Sequence, residues 1–159
     1  MLTDCSENSS LFRIRTIAEY QFGRGAGEAL FPEGCTFQYS TTGRIRHALY
    51  GKDRLATIRA QDGRLTLGIR GAERLHASLS PHSYRVVISA DVQEFVSAGK
   101  NAFSRHVIAA DSEIRGGDEV LVVDEEERLV ATGTAMLSGA EMMAFKYGVA
   151  VKVRAGKVN

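Results

Sequence analysis

The chain has 159 residues, 44% hydrophobic and 25% charged, with a formal net charge of +1. This ordinary globular composition buries a core as one domain or as two small ones, and its weak net field excludes binding driven by overall charge. No segment approaches the roughly 18 apolar residues of a membrane span, and MLTDCSENSS has neither the basic flank nor the apolar stretch of a signal peptide, so a cytoplasmic protein without membrane contact is expected.

The charge divides unevenly: residues 1–83 hold 11 Lys and Arg against 8 Asp and Glu, a net of +3, and residues 84–159 hold 9 against 11, a net of −2. A polyanion site in such a chain must gather its cations on one face. Residues 1–10 read as a disordered polar leader. Leu11, Ile14, Ile17 and Ala18 then follow a helical spacing, which predicts a helix from about residue 11 to Tyr20. Gly23, Gly25 and Gly27 follow a helix rather than a strand, so they mark a turn into a second helix and not a phosphate-cradling loop. From Thr36 the period changes to two: TFQYS, RIRHALY, LATIRA and LTLGI, separated by Gly-containing turns, predict a four-strand antiparallel meander. Leu65, Leu67 and Ile69 share one face of it and need helices to cover them; the opening helices and GAERLHASL supply these. Residues 11–80 thus form one α+β domain, and Pro81 marks its boundary.

The second domain, residues 84–157, opens with the strand YRVVIS. Asp91 with Glu94 three residues on reads as a capping box, and Val92, Phe95 and Val96 as the buried stripe of a short helix stopped at Gly99. AFSRHVIA reads as the next strand, with Phe103 facing the core. Asp124 to Glu127 form a solvated acidic turn between two more strands, Ser138 starts a helix that ends by Gly148, and VAVKVRAG closes the domain. Five short strands with Gly-punctuated turns predict a small, mostly antiparallel barrel.

The succession YRVVIS, helix, GKN-x-F, GDEV-x-VVD, A-x-G-x-A and VKVR-x-G resembles a PUA domain, an RNA-binding pseudobarrel. The first half, with EYQFGRGAGEALF, TTGRIRHALYG and LATIRAQDGRLTL, resembles the domain that precedes PUA in archaeal tRNA-guanine transglycosylase and archaeosine synthase. The catalytic barrel of those enzymes, with its paired aspartates and zinc-binding cysteines, has no counterpart among these 159 residues. The resemblance therefore implies an archaeal, non-catalytic RNA-binding protein that binds tRNA at a stem and nearby single-stranded end and assists tRNA modification. A second reading stays open: a subunit of a split transglycosylase that docks a separately encoded catalytic partner through the meander edge or the Phe145–Tyr147 region.

PUA-like domains bind RNA with the first helix, the strand after it and the last strand. Here Gly99 offers bare backbone, Lys100 charge, and Asn101 both donor and acceptor; Arg105 stands on the expected strand, and alternation sends Lys152 and Arg154 to the face opposite Val151 and Val153. These six are the expected RNA-binding residues. Arg44 and Arg46 share a strand face and either extend the basic track or belong to a plain exposed hairpin. His47, His76, His82 and His106 are scattered and no nucleophile elbow is present, so no catalysis of its own is expected. Cys5 and Cys35 stand thirty residues apart without a CxxC partner, so neither a metal, a cofactor nor a disulfide framework is expected.

Overall fold

A computed structural model describes the backbone of residues 2–158 and the side chains of residues 7–158. The chain divides into two compact units, Met1–Ser78 and Leu79–Asn159.

The first unit contains helices α1 (Leu2–Phe22), α2 (Ala26–Leu30) and α3 (Ile69–Ser78) and a meander, β1 (Thr36–Tyr39), β2 (Ile45–Tyr50), β3 (Asp53–Ile58) and β4 (Leu65–Leu67), in sheet order β1-β2-β3-β4. Alternation makes this sheet two-faced. Phe37, Ala48, Ala56 and Leu67 stand in register across the four strands, and Ala48, Ala56 and Leu67 are buried, Leu67 contributing about 1.5–3 kcal/mol. On that side Tyr39 Oη and Ser10 Oγ share a hydrogen bond of 2.7 Å, and Gln21 brackets β4 by donating to Leu65 O (2.9 Å) and accepting from Leu65 N (2.7 Å).

Helix α1 is longer than its apolar spacing suggests: residues 2–10, expected as a leader, form its first turns, and Ser10 and Leu11 are buried. No Gly or Pro interrupts them, and docking of the helix extends it beyond the periodic segment. The side chain of Cys5 lies outside the described residues. Ile69, expected on the last strand, instead begins α3; Gly68 between strand and helix passes so close to Arg54 O that a side chain there would collide with backbone.

The second unit contains β5 (Arg85–Ile88), α4 (Gln93–Ser97), β6 (Ala102–Phe103), β7 (Val107–Ala110), β8 (Glu119–Val123), β9 (Leu129–Ala135), α5 (Gly139–Ala144) and β10 (Val149–Gly156). The sheet order is β6-β10-β9-β8-β5-β7, antiparallel except for β5 beside β8. Its edge strands, β6 and β7, are consecutive in the chain and joined by one 3-10 turn, Ser104–His106, so the sheet curls into a nearly closed six-stranded barrel. The expected single strand AFSRHVIA is therefore two strands with a corner between them, and Arg105 sits on the corner. Closure also explains β8, whose five residues are all buried.

Two local expectations change. Ser89, not Asp91, caps the first turn: its Oγ accepts from Asp91 N (3.3 Å) at the start of a 3-10 turn over Ala90–Val92 that leads into α4. The acidic run is not simply solvated. Buried Asp124 accepts from Glu126 N and Arg128 N (2.9 Å each) and from Arg128 Nε (2.8 Å), which folds the turn around one carboxylate. Burial opposes ionisation there, but these hydrogen bonds and the Arg128 charge outweigh it and hold the carboxyl below its ordinary range. At the same turn Glu127 pairs with buried Arg85 (2.6 Å).

Candidate nucleic-acid interface

Helix α4 ends in a Schellman-type stop. Gly99 has φ +104°, its N–H donates to Val96 O (2.9 Å), and Lys100 N–H donates to Phe95 O (3.0 Å). Only glycine adopts that φ without strain, so the stop fixes where Lys100 leaves the helix. One residue on, Asn101 Oδ1 accepts from Val153 N (3.0 Å), latching the loop to β10. Ser104 N–H then donates to Gly148 O (3.0 Å), which pins the corner to the turn before β10.

Between α4 and this corner lies a cleft of about 380 Å³ lined by Phe95, Lys100, Asn101, Phe103, Arg105 and His106, among others. Two aromatics that parity assigned to the core line it from outside: Phe95 is 61% exposed and Phe103 41%. The helix is too short to bury a full stripe, so Val96 alone turns fully inward, and the corner after Phe103 breaks the strand parity that linked it to Val107. The Arg105 guanidinium stands 5.8 Å from the Phe103 ring centroid, and its Nε donates to His106 Nε2 (3.1 Å), which assigns the ring proton to Nδ1.

The expected site residues thus separate into groups. Lys100, Asn101 and Arg105 converge on the cleft, and Gly99 ends the helix just before them. Lys152 and Arg154 lie on β10, where Lys152 is exposed and in register with Thr134. Arg154 is engaged: it forms an ion pair with Glu119 and donates to Thr134 Oγ1 (2.8 Å), while Glu119 is only 3% exposed. A buried carboxylate is tolerated when paired and hydrogen-bonded, so Arg154 first neutralises Glu119. Sequence reasoning missed Phe95, Phe103 and Glu119. The only signal for Glu119 was a carboxylate opening an otherwise apolar strand.

Elsewhere, Cys35 is a buried free thiol; burial pushes it up to about 11, against smaller opposing effects of Arg74 and Arg15. Among the described residues no group of three His, Cys, Asp or Glu is placed to hold a metal, and no helix is long and apolar enough to cross a membrane.

Residues 12–82 match the family model described as the patch-forming domain C2 of tRNA-guanine transglycosylase, and residues 84–157 match the PUA domain. Neither match spans half of the chain; together they cover nearly all of it, a segment similar to C2 followed by one similar to PUA. It is 50% identical to the tRNA-guanine(15) transglycosylase of Pyrococcus abyssi over 90% of this chain and 24% of that one, and 44% identical to the Methanothermobacter thermautotrophicus enzyme over 92% and 22%. The chain spans about a quarter of the length of the curated relatives it matches. Among solved structures, a hypothetical protein of Pyrococcus horikoshii aligns with TM-score 0.72 at 20% identity, over 95% of this chain and 92% of that one. A conserved PUA domain protein of Thermoplasma acidophilum aligns with TM-score 0.65 at 16% identity, over 96% and 91%. Both likenesses concern the fold.

Proposed function

We propose that the chain binds tRNA in the cytoplasm, through the cleft of its PUA domain, and does so as a binding component without chemistry of its own. The observation that carries this reading is the pairing of exposed aromatics with cations in one cleft: Phe95 and Phe103 beside Lys100 and Arg105. RNA proteins take unpaired bases on aromatic faces and the flanking backbone on Lys and Arg, because the A-form major groove hides its base edges. In this account Phe103 stacks an unpaired base, Lys100 and Arg105 beside it meet the flanking phosphates, Lys152 adds a further cation on β10, and the bare backbone at Gly99 allows close approach. Asn101 and Arg154 hold that surface in place, Asn101 through β10 and Arg154 through Glu119.

The transglycosylases that the chain matches are named for an action on tRNA, which supports tRNA over other RNA. In this reading the chain holds tRNA for a catalytic partner. The test is tRNA affinity against salt for the wild type and a Lys100→Ala, Arg105→Ala variant. A steep wild-type dependence, with the log–log slope reduced by about 1.5 in the variant, is expected for two lost phosphate contacts. No tRNA binding at low salt, or an unchanged slope, would overturn the cleft reading.

A further inference from the structure

The corner Ser104–His106 gives a titratable ring a cation for a neighbour. Ser104 N donates to Gly148 O (3.0 Å) and His106 O accepts from Ser89 N (2.9 Å), so the corner is held at one end by the turn before β10 and at the other by the end of β5. Between these anchors Arg105 is exposed and His106 half-buried, and both line the cleft. Arg105 Nε donates to His106 Nε2 at 3.1 Å, and only a neutral imidazole with its proton on Nδ1 offers that lone pair. The bond between the two side chains therefore exists in one protonation state of the ring alone.

The surroundings set what a second proton requires. Besides His106, the cleft is lined by apolar side chains, the Asn101 amide and two cations, Lys100 and Arg105; no carboxylate lines it. The carboxylates on the elements around the corner are Asp91, on the 3-10 turn after β5, and Glu94, on α4; both are exposed and neither lines the cleft. Glu141 on α5 is engaged by Ser138 N (2.9 Å), and β10 and the turn before it add only the cations Lys146, Lys152 and the Glu119-paired Arg154. In the free protein a protonated His106 thus faces like charges and loses its bond to Arg105. A phosphate entering the cleft reverses both conditions. Arg105 turns to the phosphate, Nε2 takes a proton from solvent, and the ring donates that proton to a phosphate oxygen.

We propose that His106 is a proton-coupled phosphate ligand, neutral and held by Arg105 in the free protein and protonated when RNA occupies the cleft. The proposal rests on the reading that the cleft binds tRNA, and adds a pH dependence to that site. The complex holds one proton more than the free partners. Affinity is therefore expected to rise as pH falls across the imidazole range, about pH 8 to 5, by up to about tenfold per unit. The test is tRNA affinity at fixed ionic strength over that range for the wild type, His106→Gln and His106→Lys, with circular dichroism checking the fold at each pH. Gln accepts from Arg105 but takes no proton, so His106→Gln is expected to stay near the wild type's weak alkaline level. Lys is charged throughout, so His106→Lys is expected to stay near the wild type's tight acidic level. Calorimetry in buffers of different ionisation enthalpy is expected to show proton uptake on binding that His106→Gln removes. Wild-type binding without this pH dependence, or the same dependence in His106→Gln, would overturn the proton coupling and leave the cleft intact. Absence of wild-type binding at any pH would overturn both.

Discussion

The two sheets spend their faces differently. In the meander, one face is buried and the other polar, so β1 to β3 alternate and every departure from alternation is visible as a bulge. In the barrel, β8 is buried on all five residues and most of β9 is buried too, so polar residues there are either paired, as Glu119 is, or absent. The difference shows where each unit has room for a ligand. The meander offers a whole face, whereas the barrel offers only its rim, where α4, the 3-10 corner and β10 meet.

The comparison breaks most sharply inside the barrel. A Cβ added at Gly133 on β9 would overlap Lys152 O on β10, so Gly133→Ala is expected to cost about 3 kcal/mol in chemical denaturation, whereas Gln38→Ala on the polar face of the meander should change stability by less than about 0.5 kcal/mol. Equal costs would show that the two faces of the meander are no less constrained than the barrel.

A smaller effect sharpens the same contrast at the barrel's acidic turn. The folded value of Asp124 is lowered, so the unfolded chain binds its proton first on acidification. Its contribution is complete above the ordinary carboxylate value of about 4 and is lost as pH falls through the lower folded value. Asp124→Asn is expected to remove about 1 kcal/mol at neutral pH and to flatten stability against pH below that point; an unchanged acid profile would mean the turn is only solvated.

Much of the fold was legible because local chemistry dictates it. Positive φ at Gly43, Gly51 and Gly63 marks the three meander turns, and the Ser138–Glu141 capping box starts α5 at the residue the sequence suggested. Gly99 and Lys100 were legible for the same reason, since a helix stop is a local event. What the sequence hid is non-local. The corner at Ser104–His106 exists because β6 pairs with β10 while β7 pairs with β5, which no window around Arg105 contains. The Glu119–Arg154 pair spans two strands, and the outward turn of Phe95 depends on how little of α4 the barrel covers. One inserted residue in β2 and one in β3 likewise interrupt the alternation that the sequence shows.

The central claim is that the barrel's rim takes an unpaired RNA end on Phe103. It is tested most directly by comparing intact tRNA with tRNA trimmed of its single-stranded 3′ end, in the wild type and in Phe103→Ala. Base–aromatic stacking contributes about 1–3 kcal/mol, so trimming is expected to weaken wild-type binding by about tenfold and to have little effect once Phe103 is gone. Equal loss on trimming in both proteins, or no loss in either, would contradict the account.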